Sequence, residues 1–373
     1  MKLTCKAEDL SKAAAWAAKI APSNPANPVM AGVKLTAGDD LTLSATDYET
    51  FGTARCTATI QQSGSVVVSA RLLAAVAKVP SGQADVTLVS EDGRLSVTSG
   101  RANWKLPELE SELWPQFPDL GEPVGRIDGA HLEDSLSRVA PAADDGKMNQ
   151  EILRGVHLEL GDTLTATATN TYRMARLPIE WTRLADEDSS VIVPATILRH
   201  IGTDGDVTIS TEGGLLGLST RQFTVMGRLI AGKYKDVRPI LRYPEEHANT
   251  TVTVSVQELR EAIESAAILL DDTGHLSLEF DGESVTVSKV GKTEGDADSS
   301  VDVQGFTGDP IEINVKAQYI KDALTGLHSP SALFIFTDRN TAGFLIQPCD
   351  EKGEVADEYR HVLMPIKLGS GKS

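Results

Sequence analysis

The sequence predicts an α+β protein in which one domain plan, two helices packed on antiparallel strands, is used three times. Three observations predict it. GVKLTAGDDLTLSATD (32–47) returns 123 residues later as GVHLELGDTLTATATN (155–170), with nine of sixteen positions identical. Ordinary composition gives roughly one match in such a window. The pattern V-x-A-x-x-[LI] occurs as VSARLL (68–73), VPATIL (193–198) and VKAQYI (315–320). Each unit also opens with a β-like stretch and an amphipathic helix. MKLTCK precedes LSKAAAWAAKI (10–20), GRIDG precedes LEDSLSRVA (132–140), and TVTVSV precedes LREAIESAAILL (259–270).

Thin solenoid repeats run to roughly 20–50 residues, so units this long are whole domains. They are expected at 1–122, 123–247 and 248–373. The joints are FPDLGEPVG (117–125) and the polar RYPEEHANT (242–250). HLSLEF, VTVSV and IEINV alternate as half-buried strands do, and Asp281-Gly282 marks a hairpin. The first echo weakens in the third unit, where HLSLEFDGESVTVSK keeps the pattern with few identities.

On the first helix Leu10, Ala14 and Ala17 share a face, with Lys12 and Lys19 opposite. On the second, Arg71 and Lys78 flank a Leu72, Val76, Val79 stripe. On the third, His131 and Arg138 stand beside Leu132, Leu136 and Val139. Arg199 and Lys321 mark the fourth and sixth helices. The fifth dissents, since Glu258, Glu261 and Glu264 outnumber Arg260. These cations are either ordinary solvated faces or one recurring basic surface on an otherwise acidic chain.

The net charge of −18 argues against a tight grip on nucleic acid, which needs Lys and Arg on phosphates. Cys5, Cys56 and Cys349 are an odd, scattered set and fit free thiols in a reducing compartment. MKLTCKAEDL has no apolar core, so no signal peptide is expected, and no apolar run approaches the length of a membrane span. The terminal GSGKS lacks both the first glycine and the following helix of a phosphate-binding loop and reads as a tail. The acidic EGDADSS (294–300) reads as a solvated loop, and the seven histidines have no metal-ligand spacing. With no catalytic, metal or cofactor motif, a binding protein is expected. A structural repeat protein of another class is the alternative, as is an enzyme with an unrecognised site.

LTLSATDYE, SVVVSARLL, LPELESELWPQFP, TATATNTYRMA, SVIVPATIL and the C-terminal YRHVLMPIKL resemble the bacterial sliding clamp, the β subunit of the replicative DNA polymerase. The M-P-I-K-L ending is the most specific of these. The resemblance covers essentially the whole chain. It implies the DNA clamp fold, a head-to-tail homodimeric ring around double-stranded DNA, and no catalytic site. It implies a cytoplasmic processivity factor that tethers the replicative polymerase, the clamp loader and other proteins carrying short Leu/Phe motifs. On that likeness the partner-peptide pocket is Leu153, Thr169, Thr171, Tyr172, Arg173 and Met174, with Pro239, Ile240, Val362, Met364, Pro365, Ile366 and Leu368. Pro365 cannot donate to a ladder, so the last strand should lie at an edge or end there. The DNA-facing residues become Lys12, Lys19, Arg71, Lys78, Arg138, Arg199 and Lys321. Ring closure would use Trp104 and Leu106 against Ile268 and Leu269, four residues that on the sequence alone fit their own domain cores equally well. Asn170, Thr171, Asn24, Lys235 and the stretch 140–152 depart from the usual clamp residues. A specialised second clamp, with a pocket that escapes an inhibitor, is therefore the alternative to a housekeeping one.

Overall fold

The computed structural model describes the chain except for residues 271–273, 291–297, 338–341 and 367–373. Its helices are α1 (Ala7–Ile20), α2 (Ala70–Ala77), α3 (Gly129–Val139), α4 (Arg238–Glu246), α5 (Val256–Ala267) and α6 (Ala317–Thr325). Ser69 caps α2 by accepting from Leu72 N at 3.4 Å, and Ser255 caps α5 by accepting from Glu258 N at 3.3 Å. α1 has no side-chain cap, but Glu8 and Asp9 in its first turn and Lys19 in its last complement the helix dipole.

The strands pair antiparallel throughout the described residues, and the chain forms two compact units that do not follow the repeat. One unit is Met1–Glu133, Trp181–Glu187 and Thr196–Leu229; the other is Asp134–Glu180, Asp188–Ala195 and Ile230–Ser373. The middle repeat is thus shared between them. In the first unit the sheet passes from the first repeat into the second where Thr50–Cys56 pairs with Phe223–Arg228. In the second unit it passes from the second repeat into the third where Arg173–Ile179 pairs with Arg360–Leu363. Ladder hydrogen bonds cross both repeat boundaries, so a repeat is not a unit of compactness.

Leu10, Ala14 and Ala17 of α1 are buried as expected. Their helix comes close to the strand Thr50–Cys56 because residue 52 is glycine. A Cβ there would stand 2.0 Å from Ile20 Cδ1 and 3.0 Å from the Trp16 ring. α3 buries Leu132, Leu136 and Val139.

Several expectations need correction. α2 buries Ala70, Leu73 and Ala77, leaving Leu72 and Val76 half-buried and Val79 exposed, so its core stripe is rotated by one residue. The second helix of the middle repeat is only a 3-10 turn, Ile197–His200; it has no side-chain cap, and Gly202 and Gly205 follow it closely. The joint 242–250 is not a loop. α4 occupies its first half, started by Pro239 in the first turn, and the strand Ala248–Ser255 follows at once. Of the two arrangements expected from Pro365, an edge position or an end, the structure has the second: the last described strand lies inside its sheet, between Arg173–Ile179 and Phe344–Cys349, and ends at Leu363, two residues before Pro365.

Arg138 is not on a solvated face. It is 9% exposed. Its Nε donates to Gly326 O and its Nη2 to Asp357 Oδ2, both at 2.7 Å, and its guanidinium lies 4.8 Å from the Tyr359 ring centre. Tyr359 Oη donates to Arg138 O at 3.1 Å and lies 2.8 Å from His361 Nδ1. The hydroxyl thus bridges the Arg138 carbonyl and the imidazole, and among the described residues His361 Nε2 is buried without a partner.

Burial first, and the Arg173 charge second, push the His361 pKa down from 6.5 to about 3. The folded protein therefore holds His361 neutral while the unfolded chain protonates it. Its stabilising contribution is complete above about pH 6.5 and is lost as the pH falls towards 3. Over that window the wild type should lose up to about 1.4 kcal/mol per pH unit more than His361→Phe. Urea unfolding at several pH values checks this; parallel slopes for the two proteins would refute it.

Candidate functional site

The seam between Arg173–Ile179 and Arg360–Leu363 borders an apolar cavity of about 680 Å³. That is the size of a cleft for a small ligand or a few peptide side chains. Thr169, Arg173 and Met174 form one wall, with the turn residues Thr171 and Tyr172 at its lip. Val362 and Met364 form the second, fixed beyond the ladder by Met364 N donating to Tyr172 O at 2.8 Å. Tyr234, Val237 and Ile240 form the third, Ile152 and Leu153 close the base, and Gln150 and Glu151 lie exposed at its margin. Ala231, Lys233, Lys235 and Asp236 stand at the rim. Tyr172, Ile240 and Met364 are 53%, 49% and 37% exposed, so apolar side chains ring the opening and face solvent.

The lip is held by a compact device. Asn170 Oδ1 accepts from Tyr172 N and Arg173 N, both at 3.1 Å, and Thr169 Oγ1 accepts from Thr171 N at 3.1 Å. Thr171 is held at φ +74°, a left-handed conformation costly for a β-branched residue. Asn170 Nδ2 also donates to Tyr319 Oη at 3.2 Å. Arg173 is buried. It pairs with Asp322 of α6, bonds Pro141 O, and lies 4.3 Å from the Tyr319 ring centre.

Tyr234 stacks on His157, with centroids 4.6 Å apart and planes at 8°. Burial raises the Tyr234 phenol pKa and lowers that of the His157 imidazole, so both are neutral near pH 7. At the rim, Arg238 forks onto Asp236 at 2.8 and 2.9 Å and holds its carboxyl at about 2. With Asp236 matched, Lys233 and Lys235 outnumber Glu151 and tilt the rim positive.

Nine of the thirteen sequence-derived pocket residues line this cavity: Leu153, Thr169, Thr171, Tyr172, Arg173, Met174, Ile240, Val362 and Met364. Pro239, Pro365 and Ile366 stand outside its lining; Ile366 N instead donates to Asn314 O at 2.7 Å. Leu368 lies outside the described residues. Tyr234 and Val237 were missed, although KYKDV (233–237) echoes QFPDL (116–120) in the aromatic, Asp and aliphatic positions.

Lys12, Lys19, Arg71, Lys78 and Arg199 are all exposed in the first unit. They sit on α1, α2 and the turn Ile197–His200, and α1 touches both of the others. Trp16 Nε1 donating to His200 O at 3.2 Å ties the turn to α1. Lys12 is partly spoken for by Glu8 at 2.9 Å. In the second unit Lys321 is half-buried, and Arg138 is removed from this set by its buried contacts.

Of the four proposed interface residues, Ile268 is 79% exposed, Leu269 is exposed and Trp104 is half-buried, while Leu106 belongs to its own core. Residues 102–107 pair along one edge only, with Arg94–Ser99. Residues 298–302 likewise pair only with Ser284–Lys289. Among the described residues, both half-strands have a free edge.

Family models described as the N-terminal, central and C-terminal domains of the DNA polymerase III beta subunit match residues 1–118, 126–236 and 243–367. The beta sliding clamp of Streptomyces coelicolor is 30% identical over 388 residues, covering 99% of this chain and 100% of that protein. The beta sliding clamp homolog GriR of Streptomyces muensis is 29% identical over 382 residues, covering 99% and 100%. A Pseudomonas aeruginosa sliding clamp bound to griselimycin superposes with a TM-score of 0.88 at 24% identity, over 99% of this chain and 100% of that one. The Bacillus subtilis sliding clamp gives 0.87 at 20% identity, over 99% of each.

The lip device predicts that Asn170→Ala strands two backbone N–H groups and lowers stability by about 1–3 kcal/mol. Asn170→Asp, which keeps the accepting oxygen, should cost less. Urea denaturation compares them, and an alanine variant as stable as the wild type would show that the side chain does not hold the turn.

Proposed function

The chain belongs to the DNA polymerase III beta subunit family of sliding clamps, and from that premise we propose how its residues do the family's work. It is a processivity factor, a ring that encircles duplex DNA and tethers the replicative polymerase. The cavity at the 173–179/360–363 seam carries the reading of how partners attach. Short segments with Leu and Phe anchors, on the polymerase, the clamp loader and other partners, seat in it. Exposed apolar side chains ring a preformed opening there, and Met364 adapts to different anchors. Peptide binding should vanish in Met364→Ala/Ile366→Ala while the dimer persists. Fluorescence anisotropy with a labelled Leu/Phe peptide decides it, and unchanged affinity would remove the pocket assignment.

In this reading the domains are 1–122, 123–247 and 248–373, and the chain works in the cytoplasm without catalysis of its own. Lys12, Lys19, Arg71, Lys78 and Arg199, with Lys321, centre the duplex. A chain of net charge −18 with a few cations suits sliding, because each neutralised phosphate adds salt-dependent grip. Ring closure pairs the free edge at 102–107 with that at 298–302 of a second copy. Exposed Arg101 and Lys105 flank one edge, and exposed Asp298 and Asp302 the other. Ile268 and Leu269 supply apolar area beside Trp104. Trp104→Glu with Ile268→Glu should give folded monomers by sedimentation, whereas a persistent dimer would place the interface elsewhere.

The alternative of a specialised clamp is favoured by one observation: Thr171 and Lys235, both departures from the usual residues, line the pocket. If it holds, griselimycin should bind this chain much more weakly than a Leu/Phe peptide does. Comparable affinities would leave a housekeeping clamp.

A further inference from the structure

The two units use matching ladders, and their registers can be set side by side. In the first, Val67 pairs with Leu109; in the second, Ile230 N donates to Ile192 O at 2.9 Å. Val67 and Ile192 are 125 residues apart, the offset of the VSARLL and VPATIL echo, so Leu109 and Ile230 correspond. By the offset of the longer echo, Val29 and Met30 correspond to Ile152 and Leu153, each pair in a 3-10 turn just before a matching strand. Phe51 likewise corresponds to Met174.

From these matched points the connections diverge. Seven residues separate Leu109 from Phe117, but only three separate Ile230 from its aromatic counterpart Tyr234. The longer connection contains a 3-10 turn, Ser111–Leu113, closed by Trp114 N donating to Ser111 O at 3.1 Å. Trp114 packs with Leu109 on the Val29, Met30 and Val67 cluster. Phe117 stacks 6.4 Å from it and meets Phe51 edge-on at 5.3 Å. In the second unit the short connection carries Ala231, which lines the open cavity beside Ile152 and Leu153.

We infer that the first unit holds a closed copy of the docking pocket, and that Trp114, delivered by the connection 110–116, is its built-in occupant. The inference rests on the pocket reading given above. An indole fills the place that in the second unit is left for a partner's anchor, since one tryptophan covers as much apolar surface as a peptide side chain can offer. Phe117, like Tyr234, is wall and not contents. Each chain thereby presents one docking site although its repeat builds the frame for two.

Calorimetric titration of a Leu/Phe peptide tests this on four proteins: wild type, Met364→Ala/Ile366→Ala, that double variant with Trp114→Ala added, and wild type with residues 231–233 replaced by ESELWPQ. The double variant should not bind. Adding Trp114→Ala should bring binding back at the first unit, roughly tenfold or more weaker than wild type. The transplanted connection should weaken wild-type binding by at least about tenfold while leaving the melting temperature unchanged. A folded triple variant that binds nothing, or a transplant that binds like wild type, overturns the inference. If Trp114→Ala does not fold, the transplant decides alone. If the wild type itself does not bind the peptide, the pocket reading fails, and indole then tests the plug directly. Indole should raise the melting temperature of Trp114→Ala and not that of the wild type; no difference overturns the plug.

Discussion

The second unit depends on one short ladder, Arg173–Arg176 against Arg360–Leu363. It joins strands almost two hundred residues apart in sequence, so its loop-closure cost is met only because much else forms with it. On one side it sets Met174 against Val362, and the ordered chain beyond brings Met364 to Tyr172, which makes two pocket walls. On the other it delivers Tyr359 and His361 to Arg138. The pocket and the buried polar lattice are two faces of the same pairing. A partner that opened the ladder would disturb both.

That lattice explains why cations of the same formal charge have different fates. Arg138 and Arg173 are planar, make several directed hydrogen bonds each, and lie over tyrosine rings, so they can be buried with partners in place. The lysines at 12, 19 and 78 remain exposed, where a compact, strongly hydrated ammonium is stable. Arg71 and Arg199 stay exposed as well, so what buries Arg138 is its set of partners and not its spacing on the helix. Breaking a buried, hydrogen-bonded pair is costly because it leaves a charge without compensation. The two arginines thus act on stability, and the exposed cations are left to the role proposed for them above.

Most of the fold was legible because the chain repeats itself. A domain-length echo and its helical and alternating periods give the α+β class and antiparallel strands without any long-range information. What was not legible is tertiary. VPATILRH carries the same pattern as VSARLL but is too short of following helix formers to make more than a turn, and RYPEE, despite its proline, extends a helix that begins at Arg238 with Pro239 in its first turn. The partition of the middle repeat between two units depends on which strands pair, a fact that no local pattern contains. In the site, Leu153, Met174 and Val362 were found through the family likeness, and the structure places them both in a core and on the cavity wall. Core packing and pocket lining are compatible roles for one side chain. Tyr234 and Val237 were not legible because they follow a connection whose length differs between the copies, which breaks the register of the echo.

Unusual backbone often collects at functional sites, and the lip is strained. The first unit argues against reading that strain as a mark of function. Tyr48 occupies the position of Thr171 and is held at φ +75° by the same device, with Asp47 Oδ1 accepting from Glu49 N and Thr50 N. There the cluster behind the turn is covered by Trp114. The left-handed residue is therefore part of the inherited hairpin and is tolerated in both copies, with or without a cavity beside it. What separates the two copies is volume. A connection four residues longer carries an indole into one frame, and a shorter one leaves the other empty. In the proposed reading, docking follows from what is absent beside a shared turn, and the turn itself serves only to hold the frame.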